Sequence, residues 1–320
     1  MTYTAGGLIQ ATDYNGFVST TAGANVNATW NTAYGQTAIN TVSAGGNVTA
    51  TQWASLVNTI SSMGSHQPTA ITARTAPTAG NTIAILAAVN TDITNCYNNL
   101  LNATASGSQY TGWTGTNSKT GTTGSGTAAW SIAFVNDVIF SSSDTRNYFF
   151  NAGGIIRLQF SKTSTGTDID PDWNAFATAC GTLSFTATST SKVIAGVTYN
   201  GTNKIAGSGT PTTLATSIGA AQLTGSNQTI FLQYIGGAYA SSYIEVLAYN
   251  LSSNVIRFTT DWYQPAVSGA GQTNNISGGT AASGATPGTA PCTISTYFPP
   301  ETTYLSNTWG TPTVAATTAP

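Results

Sequence analysis

The chain has 320 residues, with 8 lysines and arginines against 10 aspartates and glutamates, and a formal net charge of −2. So few cations cannot neutralise a run of phosphate groups, which excludes nucleic acid as a partner. No apolar run approaches the roughly 18 residues of a membrane span, and Met1 leads into polar residues without a secretory leader. We therefore expect a soluble protein that is made in the cytosol and inserts into no membrane.

Two segments near the N-terminus repeat one pattern at an interval of 39 residues, GLIQATDYNGFVSTT at 7–21 and GNVTATQWASLVNTI at 46–60. In each copy a threonine, Thr12 or Thr51, precedes apolar residues spaced as on one face of a helix, which predicts an N-capped amphipathic helix. These helices are marginal alone, so we expect them to pack on each other, on the rest of the chain or on other subunits. Residues 80–100 hold a degenerate pattern that leaves a third copy open. The apolar positions are Tyr14, Phe17, Val18 and Thr21 in the first copy and Trp53, Leu56, Val57 and Ile60 in the second.

Two stretches rich in glycine interrupt the chain. The first, at 106–127, has no periodicity and predicts a linker or long loop. We therefore divide the chain into a helical repeat docking region at 1–105, a linker at 106–127 and a β-rich domain at 128–320. The second stretch, at 268–291, is long for a connector, which predicts a surface excursion or an arm onto a neighbour.

Strand patterns dominate the chain after residue 127. Eight segments rich in β-branched and aromatic residues predict strands, and the last two predict a hairpin with alternating faces. Residues 170–180, which begin with Asp170 and Pro171, predict a single helix. The expected fold is therefore α+β, a short helical repeat region followed by a mainly antiparallel, sandwich-like β domain. The predicted strands are 130–141, 147–150, 155–161, 182–187, 193–199, 229–234, 243–249 and 254–261.

The residue types that catalysis and metal binding need are scarce. His66 is the only histidine, and its place just after the second repeat favours helix capping or an interface hydrogen bond over catalysis. Asp168, Asp170 and Asp172 offer oxygen ligands to calcium or, without a metal, acids for a turn and a helix N-terminus. We assign no catalytic, cofactor-binding or metal-binding residue, and we expect no cofactor and no enzyme activity. Three widely spaced cysteines predict buried thiols; they are Cys96, Cys180 and Cys292.

Five aromatic residues near predicted turns are candidates for stacking against sugar rings. Their neighbours are neutral polar residues, a setting that suits glycans, although packing in a core or an interface is the commoner use of such side chains. The five are Tyr110, Trp113, Tyr199, Tyr234 and Trp309.

The segment RNYFFNAGGIIR, from Arg146 to Arg157, is the most distinctive part of the second half. Its apolar runs flank a turn sequence, which predicts a hairpin that turns at Gly153 and Gly154. The segment resembles the R-x-[YF]-F-F-N-x-G-G-x-[IL]-R hairpin of virion structural proteins from tailed bacteriophages, especially fibre-like and tail-associated proteins of marine and cyanobacterial phages. Residues 9–15, 34–36 (YGQ), 48–53 and 65–67 (SHQ) are similar to paired units at the start of such proteins. Alanine and threonine replace several polar or charged positions of that pattern.

The resemblance implies a structural component of a tailed-phage virion, assembled in the host cytoplasm, in a fibre, baseplate or neck that contributes to particle assembly and host attachment. Its partners would be further copies of itself, as a homo-oligomer and most simply a trimer, other phage structural proteins and a host-surface glycan. The low charge agrees, since it leaves little repulsion between copies. One alternative is a tail-spike-like glycan-cleaving enzyme that pairs Asp170 and Asp172 with Glu245 or Glu301. The others are a head decoration protein and a surface adhesin.

Overall fold

A computed structural model describes residues 10–20, 23–79, 86–105, 115–119, 129–160, 170–236, 240–266 and 290–319. Within these residues the chain is α+β, because helices near the N-terminus precede a mainly antiparallel β region, which confirms the predicted class. The first helices are α1 (Ala11–Val18), α2 (Ala50–His66) and α3 (Leu86–Asn98), with a π-helical turn at Ala28–Ala33. Both repeats therefore contain the predicted helix, and the degenerate third pattern is helical as well.

The predicted helix caps at Thr12 and Thr51 are wrong, because each helix begins earlier. Gln10 and Thr49 are the N-cap residues. The hydroxyl of Thr49 accepts a hydrogen bond from the amide of Gln52 at 3.3 Å, and the Gln52 side chain accepts from the amide of Thr49 at 2.8 Å. This reciprocal pair is a capping box, which places the N-cap of α2 two residues before Thr51.

The helices bury their aromatic faces against one another within a single chain. The Trp53 ring lies 5.6 Å from that of Tyr14 and 6.1 Å from that of Phe17, both edge-on. From α3, Val89 and Ile93 complete this small core. The sequence left open whether these helices pack on each other, on the rest of the chain or on other subunits. The structure shows that they pack on each other.

Two asparagines hold an extended segment against these helices. The Asn15 side chain donates to the carbonyl of Val42 at 2.7 Å and accepts from its amide at 2.8 Å. Asn27 makes the same pair of bonds with Ile39, at 2.8 and 2.9 Å. Each amide side chain thus makes the two hydrogen bonds that the backbone of a neighbouring strand would make. We call these pairs of bonds amide clamps.

The rest of the chain forms two antiparallel sheets and a small hairpin. One sheet has the strand order β1-β12-β3-β4-β7, the other has β13-β2-β11-β10-β9-β8, and β5 pairs with β6. Thirteen strands occur in the described residues: β1 (Gly115–Lys119), β2 (Trp130–Ile139), β3 (Ile155–Phe160), β4 (Thr182–Phe185), β5 (Lys192–Ile194), β6 (Val197–Tyr199), β7 (Thr202–Ala206), β8 (Thr213–Leu214), β9 (Gln228–Tyr234), β10 (Tyr243–Ser252), β11 (Val255–Gln264), β12 (Ala290–Phe298) and β13 (Thr313–Ala319).

The two large sheets pack face to face as a sandwich. Phe160 stacks on Phe231 with ring centroids 5.8 Å apart, and Phe185 meets Phe258 at 5.2 Å, so each pair joins one sheet to the other. Helix α5 (Asp170–Cys180) has the predicted bounds and inserts Trp173 into the same core. Such aromatic pairs fill the space between the sheets with apolar area.

The predicted hairpin of the last strands is present as β10 and β11. Ile244, Val246 and Ala248 are buried toward the sandwich core, whereas the residues between them are half-exposed on the other side. Strict alternation therefore gives the six-stranded sheet an outer face, which points away from the five-stranded sheet.

The hairpin predicted at Arg146–Arg157 is wrong, because its first half is helical. Residues 147–150 belong to α4 (Ser143–Asn151), whose N-cap Ser142 accepts from the amide of Thr145 at 3.1 Å. Gly153 has φ +92° and turns the chain from α4 into β3, while Gly154 does not have a positive φ. Capping at both ends thus overrides the strand propensity of the aromatic run.

The two glycine-rich stretches are only partly described. Strand β1 lies inside the stretch predicted as a linker, and β12 begins at the end of the second stretch; residues 267–289 lie outside the described residues. The predicted strand at 193–199 is split into β5 and β6 by a turn. Among the helices described, none is both long enough and apolar enough to cross a membrane.

Candidate functional site

A buried junction joins the helices to the β sandwich. We define it as residues 34–36 and 66–67 on one side and residues 301–308 on the other. The Tyr34 hydroxyl donates to the carbonyl of Leu100 at 2.6 Å and accepts from Gln67 at 2.7 Å. The Gln36 side chain donates to the carbonyl of Ser306 at 2.9 Å and accepts from its amide at 3.0 Å, which makes a third amide clamp.

His66 ends α2 and pairs with Glu301 in this junction. The Nδ1 of His66 donates to Oε1 of Glu301 at 2.7 Å, and the amides of Thr303 and Tyr304 donate to the other carboxylate oxygen at 2.6 and 3.1 Å. Burial raises the pKa of Glu301, but the hydrogen bond from His66 and those from the amides outweigh it, so the net pKa lies below the ordinary value. His66 is therefore a structural hydrogen-bond donor.

The distinctive segment 146–157 meets the same junction. The carbonyl of Ala33 accepts from Asn151 at 3.1 Å, and Gly35 lies so close to the Tyr148 ring that a side chain there would collide with it. Buried Arg146 donates to the carbonyls of Ser253 and Ala220, at 3.1 and 2.9 Å. These residues of the segment therefore make internal contacts, whereas Asn147 beside them is exposed.

The predicted carboxylate cluster does not form a described metal site. Asp168 lies outside the described residues, Asp170 begins α5, and Asp172 is exposed on that helix. Within the described part of the chain, no group of three or more histidine, cysteine or acidic side chains could hold a metal ion. Cys96 and Cys180 are buried free thiols, as predicted, and burial raises the pKa of each to about 12.

The sugar-stacking candidates have three different outcomes. Tyr199 and Trp309 are buried, at 4% and 1% exposure, so they form no sugar platform; both fill apolar cores, the commoner use of such side chains. Tyr110 and Trp113 lie outside the described residues. Tyr234 is 43% exposed, and it alone among the described candidates can meet a ligand.

Tyr234 is one end of a row of three tyrosines on the outer face of the six-stranded sheet. Tyr243 lies opposite Tyr234 on β10, and Tyr263 lies opposite Tyr243 on β11. The ring centroids of Tyr234 and Tyr243 are 5.6 Å apart, and those of Tyr243 and Tyr263 are 5.1 Å apart and stacked. We call these three residues the tyrosine row; it offers neighbouring aromatic rings across three adjacent strands.

Two carboxylates lie beside the tyrosine row. Glu245 follows Tyr243 by two residues on β10, and Asp261 precedes Tyr263 by two residues on β11. The two carboxylates are direct cross-strand partners, and we call them the acid pair. The Oε1 of Glu245 accepts from the hydroxyl of Thr229 at 2.8 Å. Burial, and then the charge of Glu245, raise the pKa of Asp261. Like charges in this position repel, so the acid pair makes this part of the face strongly negative.

A cleft of about 600 Å³ adjoins the row at Tyr234. Helix α5 supplies Asp172 and Phe176 to one wall, and Gln233 and Ile235 lie near the end of β9 in another. Close by, Lys204 donates to the carbonyls of Ser208 and Gly209 and to Gln233, at 2.6, 2.9 and 2.9 Å, which orders the turn that forms the rim. The row and the cleft form one continuous surface through Tyr234.

The described carboxylates proposed for glycan cleavage lie in three different places. Asp172 lines the cleft, Glu245 lies on the outer sheet face, and Glu301 is buried in the junction. The acid pair does place two carboxylates side by side, but both stand on one open sheet face, whereas a glycosidase needs carboxylates that flank the scissile bond.

Sequence reasoning missed Tyr243, Tyr263 and Asp261 as surface residues. Their signal was the alternation within the hairpin, where each occupies an outward position. Alternation alone did not place Tyr234 beside them, because the β9 and β10 register shifts between Val246 and Leu247. Comparison of the chain with family models, with curated proteins and with solved structures gives no match.

Proposed function

We propose that the chain is a structural component of a tailed-phage virion, a fibre, baseplate or neck protein that contributes to particle assembly and host attachment. One observation carries the proposal: of the two regions that resemble such proteins, 7–67 and 146–160, residues 34–36 and 66–67 of the first lie in one buried junction, and Tyr148 of the second contacts the same junction. Coincidental matches in separate parts of a chain need not touch each other. Their convergence supports a shared structural unit.

The attachment role is supported by the outer face of the six-stranded sheet. Tyr234, Tyr243 and Tyr263 present aromatic rings on a rigid sheet, a geometry that suits contact with sugar rings. In this proposal the chain forms a homo-oligomer, most simply a trimer, and docks through residues 1–105 to other structural proteins of the particle. Several copies of one weak site would then bind a host-surface glycan with avidity.

The proposal is tested by analysing particles. Virions from an infected culture that carries this sequence are purified on a density gradient and digested with trypsin. Cleavage after Arg146 and Arg157 releases NYFFNAGGIIR, a peptide suited to mass spectrometry. We expect this peptide to co-sediment with infectious particles in constant ratio to a coat protein. Its restriction to the soluble lysate would refute a virion role.

The oligomeric state has its own test. Light scattering of the purified chain is expected to give about three times the 32.7 kDa mass of one copy. A species of 32.7 kDa at micromolar concentration would contradict self-assembly of the isolated protein.

A further inference from the structure

The outer sheet face carries an unbalanced negative charge beside the tyrosine row. Within the described strands of the six-stranded sheet the one cation is Arg257, and Asp137 already holds it through two hydrogen bonds of 2.6 and 2.7 Å. Neither Glu245 nor Asp261 has an ion-pair partner within the described residues. A ligand of this face would therefore bind most tightly if it placed a positive charge beside the acid pair.

A second copy of the chain is a poor source of that charge. Of the other cationic side chains that the structure describes, Arg74 pairs with Asp92, Arg146 and Lys204 bond to carbonyls, Lys192 is buried, and Arg157 is also engaged. Docking of this face on another copy would thus leave the acid pair uncompensated by any of these described cationic side chains.

An ammonium group matches both parts of the surface. Over a tyrosine ring it is attracted by the negative face of the aromatic system, and beside a carboxylate it makes a charge-assisted hydrogen bond. The tyrosine row extends over three strands spaced about 4.8 Å apart, so it is long enough for about two sugar rings. A sugar that carries its own ammonium group would use the row and the acid pair together.

We propose that this face binds a glycan containing amino sugars whose amines are free, with sugar rings on Tyr234, Tyr243 and Tyr263 and an ammonium group at Glu245 and Asp261. The inference rests on the attachment role proposed above and names its ligand class. The acid pair selects against the N-acetylated form of the same sugar, because acetylation removes the charge and the carboxylates then lose water without an ionic partner.

The test uses the full chain and calorimetric titration with two probes of equal length, a glucosamine oligosaccharide with free amines and its fully N-acetylated form. We expect the free-amine probe to bind at least about tenfold more tightly at low ionic strength. The double variant Glu245→Gln, Asp261→Asn is expected to remove this preference, and Tyr243→Ala to weaken both probes. Tyr304→Ala, at another exposed tyrosine, is the matched control and is expected to change neither.

Equal affinity for both probes, or a preference that survives in the double variant, would overturn the inference. So would absence of binding by either probe to folded protein, with the fold checked by circular dichroism. An oligolysine peptide serves as a further probe. If it bound as tightly as the free-amine oligosaccharide, and if Tyr243→Ala did not weaken its binding, the occupant would be a basic peptide and a glycan would be refuted. Each of these results leaves the particle test of the proposed function unaffected, so the two failures are distinguishable.

Discussion

His66 and Glu301 lie 2.7 Å apart, Nδ1 to Oε1, although 235 residues separate them in the chain. Both side chains are almost fully buried, at 0% and 6% exposure. The pair connects the end of α2 to the segment that follows β12, so it holds the helical region and the sandwich in one structure. Removal of Glu301 leaves the Nδ1 of His66 buried without its hydrogen-bond partner.

We therefore expect Glu301→Ala to lower the free energy of unfolding by about 1 to 3 kcal/mol, because a buried hydrogen-bond donor loses its acceptor. Because the net pKa of Glu301 is lowered in the folded state, its contribution is complete above its unfolded pKa and is lost as pH falls through the folded pKa. Urea unfolding at neutral and acid pH measures both effects. Glu245→Ala, on the outer face, is the matched control and is expected to cost little; equal losses in the two variants would refute the role of the pair.

Gly153 and Gly154 are needed for different reasons. Gly153 has φ +92°, and a Cβ there would lie 2.7 Å from the Cβ of Ala103; a Cβ at Gly154 would overlap the Phe149 ring. Gly153→Ala and Gly154→Ala are each expected to destabilise by about 1 to 3 kcal/mol. Gly225→Ala, where the added atom meets open space, is the control. Thermal melts that agree for all three variants would contradict this account of α4 and β3.

Lys192 is buried in the β5–β6 hairpin, and burial lowers its pKa from the ordinary 10.5 to about 7. Between these values the unfolded chain binds the proton and the folded chain does not, so stability rises with pH in this window. We expect Lys192→Met to remove a rise of about 2 kcal/mol between about pH 7 and about pH 9. Parallel pH profiles for the two proteins, measured by urea unfolding, would show that Lys192 stays charged when folded.

The amide clamp of Asn15 gives a fourth prediction. Its nitrogen donates to the carbonyl of Val42, so Asn15→Asp replaces a donor with an oxygen that repels this carbonyl. We expect a loss of about 1 to 3 kcal/mol in chemical unfolding. Asn58→Asp makes the same chemical change at an exposed site on α2 and is expected to be close to neutral. If Asn58→Asp cost as much, the effect would come from the added charge and not from the clamp.

Local patterns predicted the elements whose signals are local. The bounds of α5 and the alternation of β10 and β11 follow from residues that are neighbours in sequence. The strand predicted at residues 147–150 is wrong. An aromatic run favours a strand by propensity, but Ser142 and Gly153 cap a helix around it. In this case capping decided the structure.

The long-range features could not be predicted in the same way. No local pattern pairs His66 with Glu301, because the contact depends on how the whole chain folds. The tyrosine row was hidden for a similar reason: Tyr243 and Tyr263 meet through the hairpin, but Tyr234 joins them only through the register shift between β9 and β10. The alternation of apolar and polar residues in β10 and β11 predicts which side chains face solvent. It does not predict which of those side chains lie next to each other.

The amide clamps of Asn15, Asn27 and Gln36 have a consequence for the medium in which the protein can work. They join distant parts of the chain through dipoles that carry no net charge, and dissolved ions screen such contacts far less than exposed ion pairs. Since the described residues form few surface ion pairs, the fold is expected to change little between dilute buffer and about 1 M sodium chloride. A change in the ionic strength of the medium is therefore expected to require no rearrangement of the contacts that hold the fold together.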